Sequence, residues 1–377
     1  MHILIAPNAF KNSLNADEAA FAIRKGFEQS RLNCTCECFP VGDGGDGTGF
    51  LITNKCGGVW EETLVHDSMG RPIKASFGLI EACKTAVIEM ANASGLRLLD
   101  PNELNPLLAT SFGTGQQIKA ALDKGVTKII ITMGGSSTVD GATGILSALG
   151  VRFFDANGKE LSSSVGDLIN LCSIDLSGID ERIYKCNLIV LCDVENQLLG
   201  KQGSAHIFGP QKGATPDQVR ILDKALTKLS QVVLHQTMKD MSLIKYGGTA
   251  GGAAAGLYAI LDAKLVNGIE YFLDLTDFDS ALQRSSLVVT AEGSIDEQTL
   301  KGKGPLGVAF RAKQKGLPVI GLAGKVPLVE NALLQRYFDV LMAIGNMPSD
   351  MSAALSDTSK NIIRTSRQIG NLFAMGQ

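Results

Sequence analysis

Short apolar runs that end in glycine-rich loops form the main pattern of this chain. Most runs are rich in Val and Ile, and polar stretches with the apolar spacing of a helix follow several of them. This order of strand, loop and helix is typical of α/β proteins with parallel sheets. The predicted strands cover residues 3–6, 36–41, 73–79, 85–90, 129–133, 188–192, 287–290, 319–322 and 338–344.

Capping signals and apolar spacing predict the helices. Asn15 and Glu18 have the spacing of a capping box, which predicts a helix that begins at residue 16. The predicted helices cover residues 16–29, 49–55, 302–316 and 359–375.

The middle of the chain departs from steady alternation. Polar turns separate the runs 73–79 and 85–90, which predicts antiparallel pairing there. The first and last parts alternate strand and helix, which predicts a doubly wound parallel sheet. We therefore expect an α/β fold with two domains and an active-site cleft between them. Residues 1–65 and 285–377 would form a discontinuous Rossmann-like domain, and residues 66–284 an inserted mixed α/β domain.

Composition and charge narrow the class of protein. The chain has 377 residues, of which 45% are hydrophobic, and this supports large cores. The net charge is −3 without a basic cluster, so we expect no nucleic-acid partner. The apolar run before Pro7 is too short for a signal peptide or a membrane span, so we expect a cytoplasmic protein. The sequence pattern does not determine the oligomeric state.

The eight cysteines contain no C-x-x-C pair, and we expect reduced, structural thiols. Cys34, Cys36 and Cys38 alternate as one face of a strand would, which favours packed thiols over a metal site.

The sequence GDGGDGT, residues 42–48, permits three interpretations. Its glycines have the G-x-G-x-x-G spacing of a dinucleotide-binding loop. However, Asp43 and Asp46 would repel a diphosphate. The loop could instead be a structural turn, or it could bind Mg²⁺ or a substrate hydroxyl group. The negative charge of the two acids favours the binding of Mg²⁺ or a hydroxyl group. The predicted substrate-binding residues are Lys11, Asp43, Gly44, Gly45 and Asp46.

The sequence GGSSTVDG, residues 134–141, is the better candidate for binding phosphate. Small residues and hydroxyl groups before a helix suit an anion. Asp140 is a candidate metal ligand, and a helix cap is the alternative. The predicted phosphate- or nucleotide-binding residues are Gly134, Gly135, Ser136, Ser137, Thr138 and Lys303.

Two acids directly after apolar strands are candidate catalytic groups. Asp193 and Asp296 lie where ligands of open α/β sheets gather, although Asp is also a common turn former. Lys212 is the third predicted catalytic residue, because a lysine in a loop can neutralise transferring phosphoryl oxygens. Glu292 is a second candidate metal ligand. Glu292, Asn196 and Gln298 are the polar neighbours that could complete a shell around Asp193 and Asp296.

The residues alone indicate a small-molecule enzyme that handles a phosphorylated ligand with a cation. The sequence contains no Walker A motif, no protein-kinase HRD or DFG motif, no G-x-S-x-G and no H-E-x-x-H. An oxidoreductase that uses the G-x-G-x-x-G loop, with Glu61 or Glu62 on a ribose, stays an alternative. A non-catalytic metabolite-binding protein is another.

A colinear series of motifs resembles the type I glycerate kinase family along essentially the whole chain. The motifs are APNAFKNSL (6–14), PVGDGGDGT (40–48), MGGSSTVDGATG (133–144), CDVENQL (192–198), FGPQKGA (208–214), GGTAGGAAAGL (247–257) and AEGSIDEQT (291–299). The resemblance implies a two-domain α/β enzyme that uses ATP and Mg²⁺ to phosphorylate D-glycerate. The 2-hydroxyl is the usual acceptor, and 3-phosphoglycerate is the alternative product.

The chain departs from the family pattern at several positions. The family commonly has Asp and Ser where this chain has Asn8 and Ala9, and Pro where it has Gln197. Asp46 replaces Glu and Ser137 replaces Ala. Asn8 removes a formal charge from the first loop, and the departures leave room for a changed substrate preference.

Overall fold

The computed structural model describes residues 1–162, 164–297, 299–329 and 331–376. The strands are β1 His2–Ile5, β2 Thr35–Cys38, β3 Val59–His66, β4 Pro72–Ile80, β5 Thr85–Glu89, β6 Lys128–Thr132, β7 Arg152–Phe154, β8 Ser173–Asp175, β9 Asn187–Cys192, β10 Lys264–Asn267, β11 Leu287–Ser294, β12 Val319–Lys325 and β13 Val340–Ala343.

The helices are α1 Ala16–Glu28, α2 Thr48–Lys55, α3 Ala91–Ser94, α4 Phe112–Asp123, α5 Thr143–Ala148, α6 Ser204–Phe208, α7 Pro216–Thr237, α8 Ala253–Leu261, α9 Gly268–Leu275, α10 Phe278–Gln283, α11 Gly304–Gln314, α12 Ala332–Gln335, α13 Met351–Ser356 and α14 Thr358–Ala374. The predicted start of α1 is confirmed, because Asn15 and Glu18 make both hydrogen bonds of a capping box.

The chain divides into two compact units. Unit 1 comprises Met1–Asp43 and Ile269–Gln377, and unit 2 comprises Gly44–Gly268. Each unit has a hydrophobic cluster of its own, built around β1 and β11 in unit 1 and around β6 and β9 in unit 2. The α/β fold class predicted from the sequence is confirmed.

Unit 1 contains a sheet in the order β13-β12-β11-β1-β2, in which all neighbouring strands are parallel. We call it the parallel sheet. From β1 the chain proceeds outward to β2, whereas from β11 it proceeds in the opposite direction to β12. The point between β1 and β11 is therefore a topological switch point, where open α/β sheets bind ligands at the carboxyl ends of their strands.

Unit 2 contains a sheet in the order β10-β9-β6-β5-β4-β3, which we call the mixed sheet. Its strands β10, β9, β6 and β5 are parallel, and β4 pairs antiparallel with both β5 and β3. The antiparallel pairing predicted for the middle of the chain is confirmed. The central strands β6 and β9 are buried along nearly their whole length, as their continuous apolar runs require.

The compact units divide the chain at residues 43/44 and 268/269, whereas the sequence predicted domain boundaries at 65/66 and 284/285. The first boundary differs because β3 pairs with β4 along its whole length and α2 packs on β4 and β5. The second differs because Phe278 of α10 packs against Phe39 in unit 1, with ring centroids 5.0 Å apart. That these parts are domains on either side of an active-site cleft stays a prediction.

Two further sequence expectations concern membranes and thiols. Among the described residues, no helix has the length and apolar character needed to cross a membrane. All eight cysteines are free thiols. Cys34, Cys36 and Cys38 are half-buried against the hydrophobic cluster of unit 1. Burial raises the pKa of Cys36 to about 12, so this thiol stays protonated.

Candidate active site

Unit 1 gathers polar side chains at the carboxyl ends of β1, β2 and β11. We call this group the acid cluster, and its members are Asn8, Asp43, Glu292, Asp296 and Lys303. Asn8 follows β1, Asp43 follows β2, and the acids Glu292 and Asp296 lie at the end of β11. The cluster therefore lies at the switch point of the parallel sheet, where a ligand is expected.

Asp43 is the most firmly held member of the acid cluster. Its Oδ2 accepts a hydrogen bond from Asn8 Nδ2 at 2.9 Å and another from the backbone N–H of Gly304 at 3.3 Å. Gly304 is the first residue of α11, so the carboxylate lies at the positive end of that helix dipole. Asp43 is 8% exposed and thus has a fixed position in unit 1.

Glu292 is the strongly perturbed acid of this cluster. Its pKa is raised to about 8, mainly by burial; Asp43 and Asp296 contribute to this rise, and the Lys303 ammonium opposes it. Lys303 Nζ lies 3.7 Å from Glu292 Oε1, and Glu292 Oε2 is buried without a hydrogen-bond partner among the described residues. A buried carboxylate oxygen without a partner is a single oxygen ligand of the kind that Mg²⁺ takes, and Mg²⁺ completes its coordination with waters and phosphate oxygens.

Asp296 and Lys11 lie near the same strand end. Ser294 Oγ donates a hydrogen bond to Asp296 Oδ2 at 2.9 Å, and the Asp296 N–H donates to Thr299 Oγ1 at 3.2 Å. Lys11 is exposed, and its backbone nitrogen lies 3.9 Å from the position that a Cβ on Gly293 would take. Gln298, a predicted neighbour, lies outside the described residues.

In unit 2, three predicted loops meet at the carboxyl ends of β6 and β9. The carbonyl group of Gly44 accepts hydrogen bonds from the N–H groups of Met133 at 3.1 Å and Gly134 at 2.9 Å. A Cβ on Gly134 would lie 2.3 Å from the Cα of Gly45, so only glycine permits this approach. A Cβ on Gly44 would lie 2.9 Å from the carbonyl oxygen of Leu191, just before Asp193. The GDGGDG loop is thus packed between the two strand ends.

Lys212 is buried against the loop predicted to bind phosphate. Its Nζ donates to Ser136 Oγ at 2.9 Å and to the carbonyl oxygen of Thr138 at 2.7 Å, and the residue is 3% exposed. Thr138 Oγ1 is buried without a hydrogen-bond partner among the described residues. We call Ser136, Thr138 and Lys212 the anion cradle. A buried ammonium group beside two hydroxyl groups can hold an anionic oxygen.

The other members of this loop have structural roles. Besides the Gly134 bond described above, the Ser137 N–H donates to the carbonyl oxygen of Ser94 at 2.9 Å. Ser137 Oγ donates to Ser68 Oγ at 2.9 Å. The following helix, α5, is one and a half turns long and begins only at Thr143. Because Gly134 and Ser137 are bonded to other segments, Ser136 and Thr138 are the better candidates in this loop for binding phosphate.

The contacts of Asp140 favour the helix cap over the metal ligand. Oδ2 accepts from Ser111 Oγ at 2.7 Å, from the Ser111 N–H at 2.8 Å and from the Gly144 N–H at 3.2 Å. Oδ1 accepts from the Ala142 N–H at 3.2 Å, and the side chain is fully buried. In the described part of the chain, no three His, Cys, Asp or Glu side chains are grouped to hold a metal ion.

Asp193 follows β9 directly and is half-buried. In the loop after it, Asn196 makes two hydrogen bonds: its Nδ2 donates to the carbonyl oxygen of Gln202 at 2.9 Å, and its own carbonyl oxygen accepts from the Gly248 N–H at 2.8 Å. The predicted catalytic residues therefore lie in different units, with Asp193 and Lys212 in unit 2 and Asp296 in unit 1.

Two polar residues of unit 2 were missed in the sequence. Glu89 ends β5 and is buried, and Arg97 lies in the segment after α3. Arg97 NH1 contacts Asp46 Oδ1 at 3.0 Å, and Glu89 is hydrogen-bonded to Asp46. Glu89 has the same signal as Asp193, an acid directly after an apolar run. The predicted strand 85–90 includes Glu89, so the pattern does not mark this acid as lying at a strand end.

The surroundings of the G-x-G-x-x-G motif do not suit a dinucleotide. Strand β2 belongs to the parallel sheet, whereas α2 packs on β4 and β5 of the mixed sheet. A dinucleotide fingerprint instead joins a strand and a helix of one βαβ unit.

Comparisons with known proteins give the class and the family. A model of the glycerate kinase family matches residues 3–374. The chain is 42% identical to glycerate kinase of Bacillus subtilis (strain 168), covering 98% of this chain and 97% of that protein. It is 40% identical to glycerate 2-kinase of Escherichia coli (strain K12), covering 100% and 99%.

A crystal structure of a protein assigned as glycerate kinase 2, from Salmonella typhimurium LT2, matches with a TM-score of 0.82 at 40% identity. It covers 100% of this chain and 99% of that chain. The chain is therefore an α/β kinase, a phosphotransferase. It belongs to the glycerate kinase family.

Proposed function

We propose that this kinase transfers the γ-phosphoryl group of ATP to the 2-hydroxyl group of D-glycerate, with 2-phosphoglycerate and ADP as products. The observation that carries the proposal is the similarity over the full chain to a protein named glycerate 2-kinase. A 3-kinase activity is the competing regiochemistry, and it would use the same donor and acceptor.

The anion cradle supports a phosphoryl-transfer role. In the transfer, a bond forms between the 2-oxygen of glycerate and the γ-phosphorus, and the bond from that phosphorus to the bridging oxygen of ADP breaks. Negative charge shifts toward the leaving ADP during this step. The buried Lys212 ammonium, oriented by Ser136 and Thr138, would stabilise that charge without reorganisation.

The attacking hydroxyl group must release its proton to an acceptor. We propose Asp296 or Asp193 as that acceptor, since each is a half-buried carboxyl group directly past a strand. Ser294 Oγ donates to the carboxyl group of Asp296, and the Asp296 backbone N–H donates to Thr299 Oγ1.

We propose that the acid cluster binds the metal ion of the reaction. Glu292 would hold Mg²⁺, and the free lone pairs of its Oε2 support this role. Bound there, Mg²⁺ would supply positive charge for phosphate oxygens. Asp140 is not included, because its oxygens are already occupied by N–H and O–H donors.

The remaining predicted residues would bind the ligands. Lys11 and Lys303 are cations of unit 1 that suit carboxylate or phosphate oxygens. The substrate-binding roles of Asp43, Gly44, Gly45 and Asp46 are proposed on the strength of their ordered, carboxylate-bearing loop.

An ADP-release assay tests the proposal. Purified enzyme is given ATP and Mg²⁺ with D-glycerate, and matched reactions omit glycerate or contain EDTA. We expect glycerate-dependent ADP formation that EDTA abolishes. Absence of ADP formation in the complete reaction would refute the proposal. A change in NAD(P)H absorbance on adding glycerate and the nicotinamide cofactor would instead revive the oxidoreductase alternative.

A further inference from the structure

Glu89 is a buried acid of unit 2 that the proposed mechanism does not use. It is the last residue of β5 and is 4% exposed. Its Oε1 accepts a hydrogen bond from the backbone N–H of Gly47, in the loop that precedes α2. Its Oε2 lies 3.1 Å from the position that a Cβ on Gly49 would take, so α2 packs closely over it.

The second hydrogen bond of Glu89 joins it to another acid. The carboxyl groups of Glu89 and Asp46 are hydrogen-bonded to each other. Two ionised carboxylates have only acceptor atoms, so this contact requires a proton between them. The backbone N–H of Gly47 is itself a donor to Glu89 Oε1, so the proton that Glu89 carries is available for the contact with Asp46.

Asp46 in turn holds a cation. Its Oδ1 pairs with Arg97 NH1 at 3.0 Å, and Asn92 Oδ1 accepts a hydrogen bond from Arg97 NH2. The Arg97 side chain is 49% exposed, so its guanidinium group is accessible to a ligand. The charged groups that face Glu89 are Asp46 and Arg97, whereas Gly49 of α2 and Thr132 of β6 present uncharged neighbours.

Backbone contacts bring Arg97 to the loop of the anion cradle. The N–H of Leu96, its neighbour in the chain, donates to the carbonyl oxygen of Gly135 at 2.8 Å. Gly95 forms an isolated bridge with Ser136. The backbone next to Arg97 is therefore hydrogen-bonded to the loop that carries Ser136, and Ser136 contacts Lys212.

We propose that Glu89 is a positioning residue for substrate recognition: as a neutral carboxylic acid it donates a hydrogen bond to Asp46, and Asp46 then directs Arg97 toward the carboxylate of the substrate. This inference rests on the proposed function, because it takes a small hydroxy acid as the substrate. Glu89 itself does not touch the substrate.

The charge balance of the three residues explains why a protonated acid is needed. With Glu89 neutral, Asp46 and Arg97 cancel, and the site can accept an anion. With Glu89 ionised, the three groups would carry a net negative charge and repel a carboxylate. The planar guanidinium fork matches a carboxylate in a bidentate geometry, whereas the compact Lys212 ammonium suits a phosphoryl oxygen.

Two substitutions at Glu89 test the proposal. Glu89→Ala removes both hydrogen bonds, and we expect the KM for D-glycerate to rise about tenfold, with kcat and the KM for ATP within about threefold. Glu89→Gln keeps an N–H donor for Asp46 and an oxygen acceptor for Gly47, and we expect it to restore the glycerate KM to within about threefold of wild type. Glu28, an exposed acid of α1 paired with Arg24, provides matched Glu28→Ala and Glu28→Gln controls.

The outcomes separate this inference from the proposed function. A loss of kcat of about a hundredfold in Glu89→Gln would mean that the carboxyl group acts chemically, and it would overturn the positioning role. An unchanged glycerate KM in Glu89→Ala would do the same. If Glu89→Ala fails to fold, Arg97→Gln at an exposed position replaces it in the test. The proposal expects Arg97→Gln to raise the KM for glycerate at least tenfold, and an unchanged KM would overturn it. A wild-type enzyme without glycerate-dependent ADP formation would refute the proposed function instead.

Discussion

The side-chain amide of Asn8 donates a hydrogen bond to Asp43 Oδ2 over 2.9 Å. The amide thus supplies a donor to a carboxylate that also accepts from the N–H of Gly304. An Asp at position 8 would place a second carboxylate opposite Asp43, whereas the Asn8 amide is a neutral partner that stabilises it.

Asn8→Asp is expected to reduce stability at alkaline pH. Two carboxylates within hydrogen-bond distance would repel each other and lose the amide donor, which costs about 1–3 kcal/mol. Urea unfolding at pH 8 measures the loss, and it should shrink at pH 5, where one carboxyl group can hold a proton. Asn105→Asp is the matched control, because the side-chain oxygen of Asn105 accepts a hydrogen bond from the Leu107 N–H and Asp offers the same acceptor. An equal loss at both pH values would contradict the prediction.

The sequence predicts best what local residues determine. The capping box at Asn15 and Glu18 predicted the start of α1, and the β-branched run 129–133 predicted β6 to within one residue. These features depend on neighbours along the chain. The first boundary between the units was harder to predict, because it depends on the pairing of β3 with β4 and the packing of α2.

Site residues were predictable as strand-end acids but not by their contacts. Asp140 and Asp43 have the same local signal, a carboxylate in a glycine-rich loop. Asp140 accepts hydrogen bonds from Ser111, which lies 29 positions away, and from the Gly144 N–H at the start of α5, so hydrogen-bond donors already occupy its carboxylate. Similarly, the proximity of Asp46 to Glu89 depends on how the loop packs against β5, which the spacing of residues does not encode.

Lys212→Met is expected to reduce kcat by about a hundredfold or more, because it removes the buried ammonium of the anion cradle. The methionine side chain fills much of the same volume, so the melting temperature should stay within a few degrees of wild type. Steady-state kinetics with D-glycerate and ATP measure the effect. Lys224→Met, at an exposed position of α7, is the control and should retain wild-type turnover. Near-normal kcat in Lys212→Met would exclude a catalytic role for this lysine.

Asp193→Asn and Asp296→Asn, made separately, identify the proton acceptor. The variant that removes the acceptor should lower kcat by about a hundredfold or more, while both keep a side chain of the same shape. Single-turnover measurements at saturating ATP and glycerate report the chemical step directly. Near-normal turnover in both variants would rule out the proposed scheme of proton transfer.

The pH dependence of stability should reveal the proton on Glu89. Burial first and the Asp46 carboxyl group second raise the pKa of Glu89 from 4.5 to about 8. Between these pH values the folded state holds a proton that the unfolded chain has released. The free energy of unfolding should therefore fall by about 1.4 kcal/mol per pH unit from this group as the pH rises.

Glu89→Gln removes this contribution, so its free energy of unfolding should depend less steeply on pH than that of wild type. Urea unfolding at pH 6, 7 and 8 compares the two slopes. Parallel slopes would show that Glu89 does not carry the extra proton.

The identity of the phosphorylated product tests the central claim most directly. The enzyme is incubated with ATP, Mg²⁺ and D-glycerate, and the product is identified by ³¹P and ¹H NMR from the coupling between phosphorus and the carbon-bound protons. We predict stoichiometric ADP and a phosphate ester coupled to the single proton on carbon 2, as in 2-phosphoglycerate. Coupling to the two protons on carbon 3, or ATP left unconsumed, would contradict the account.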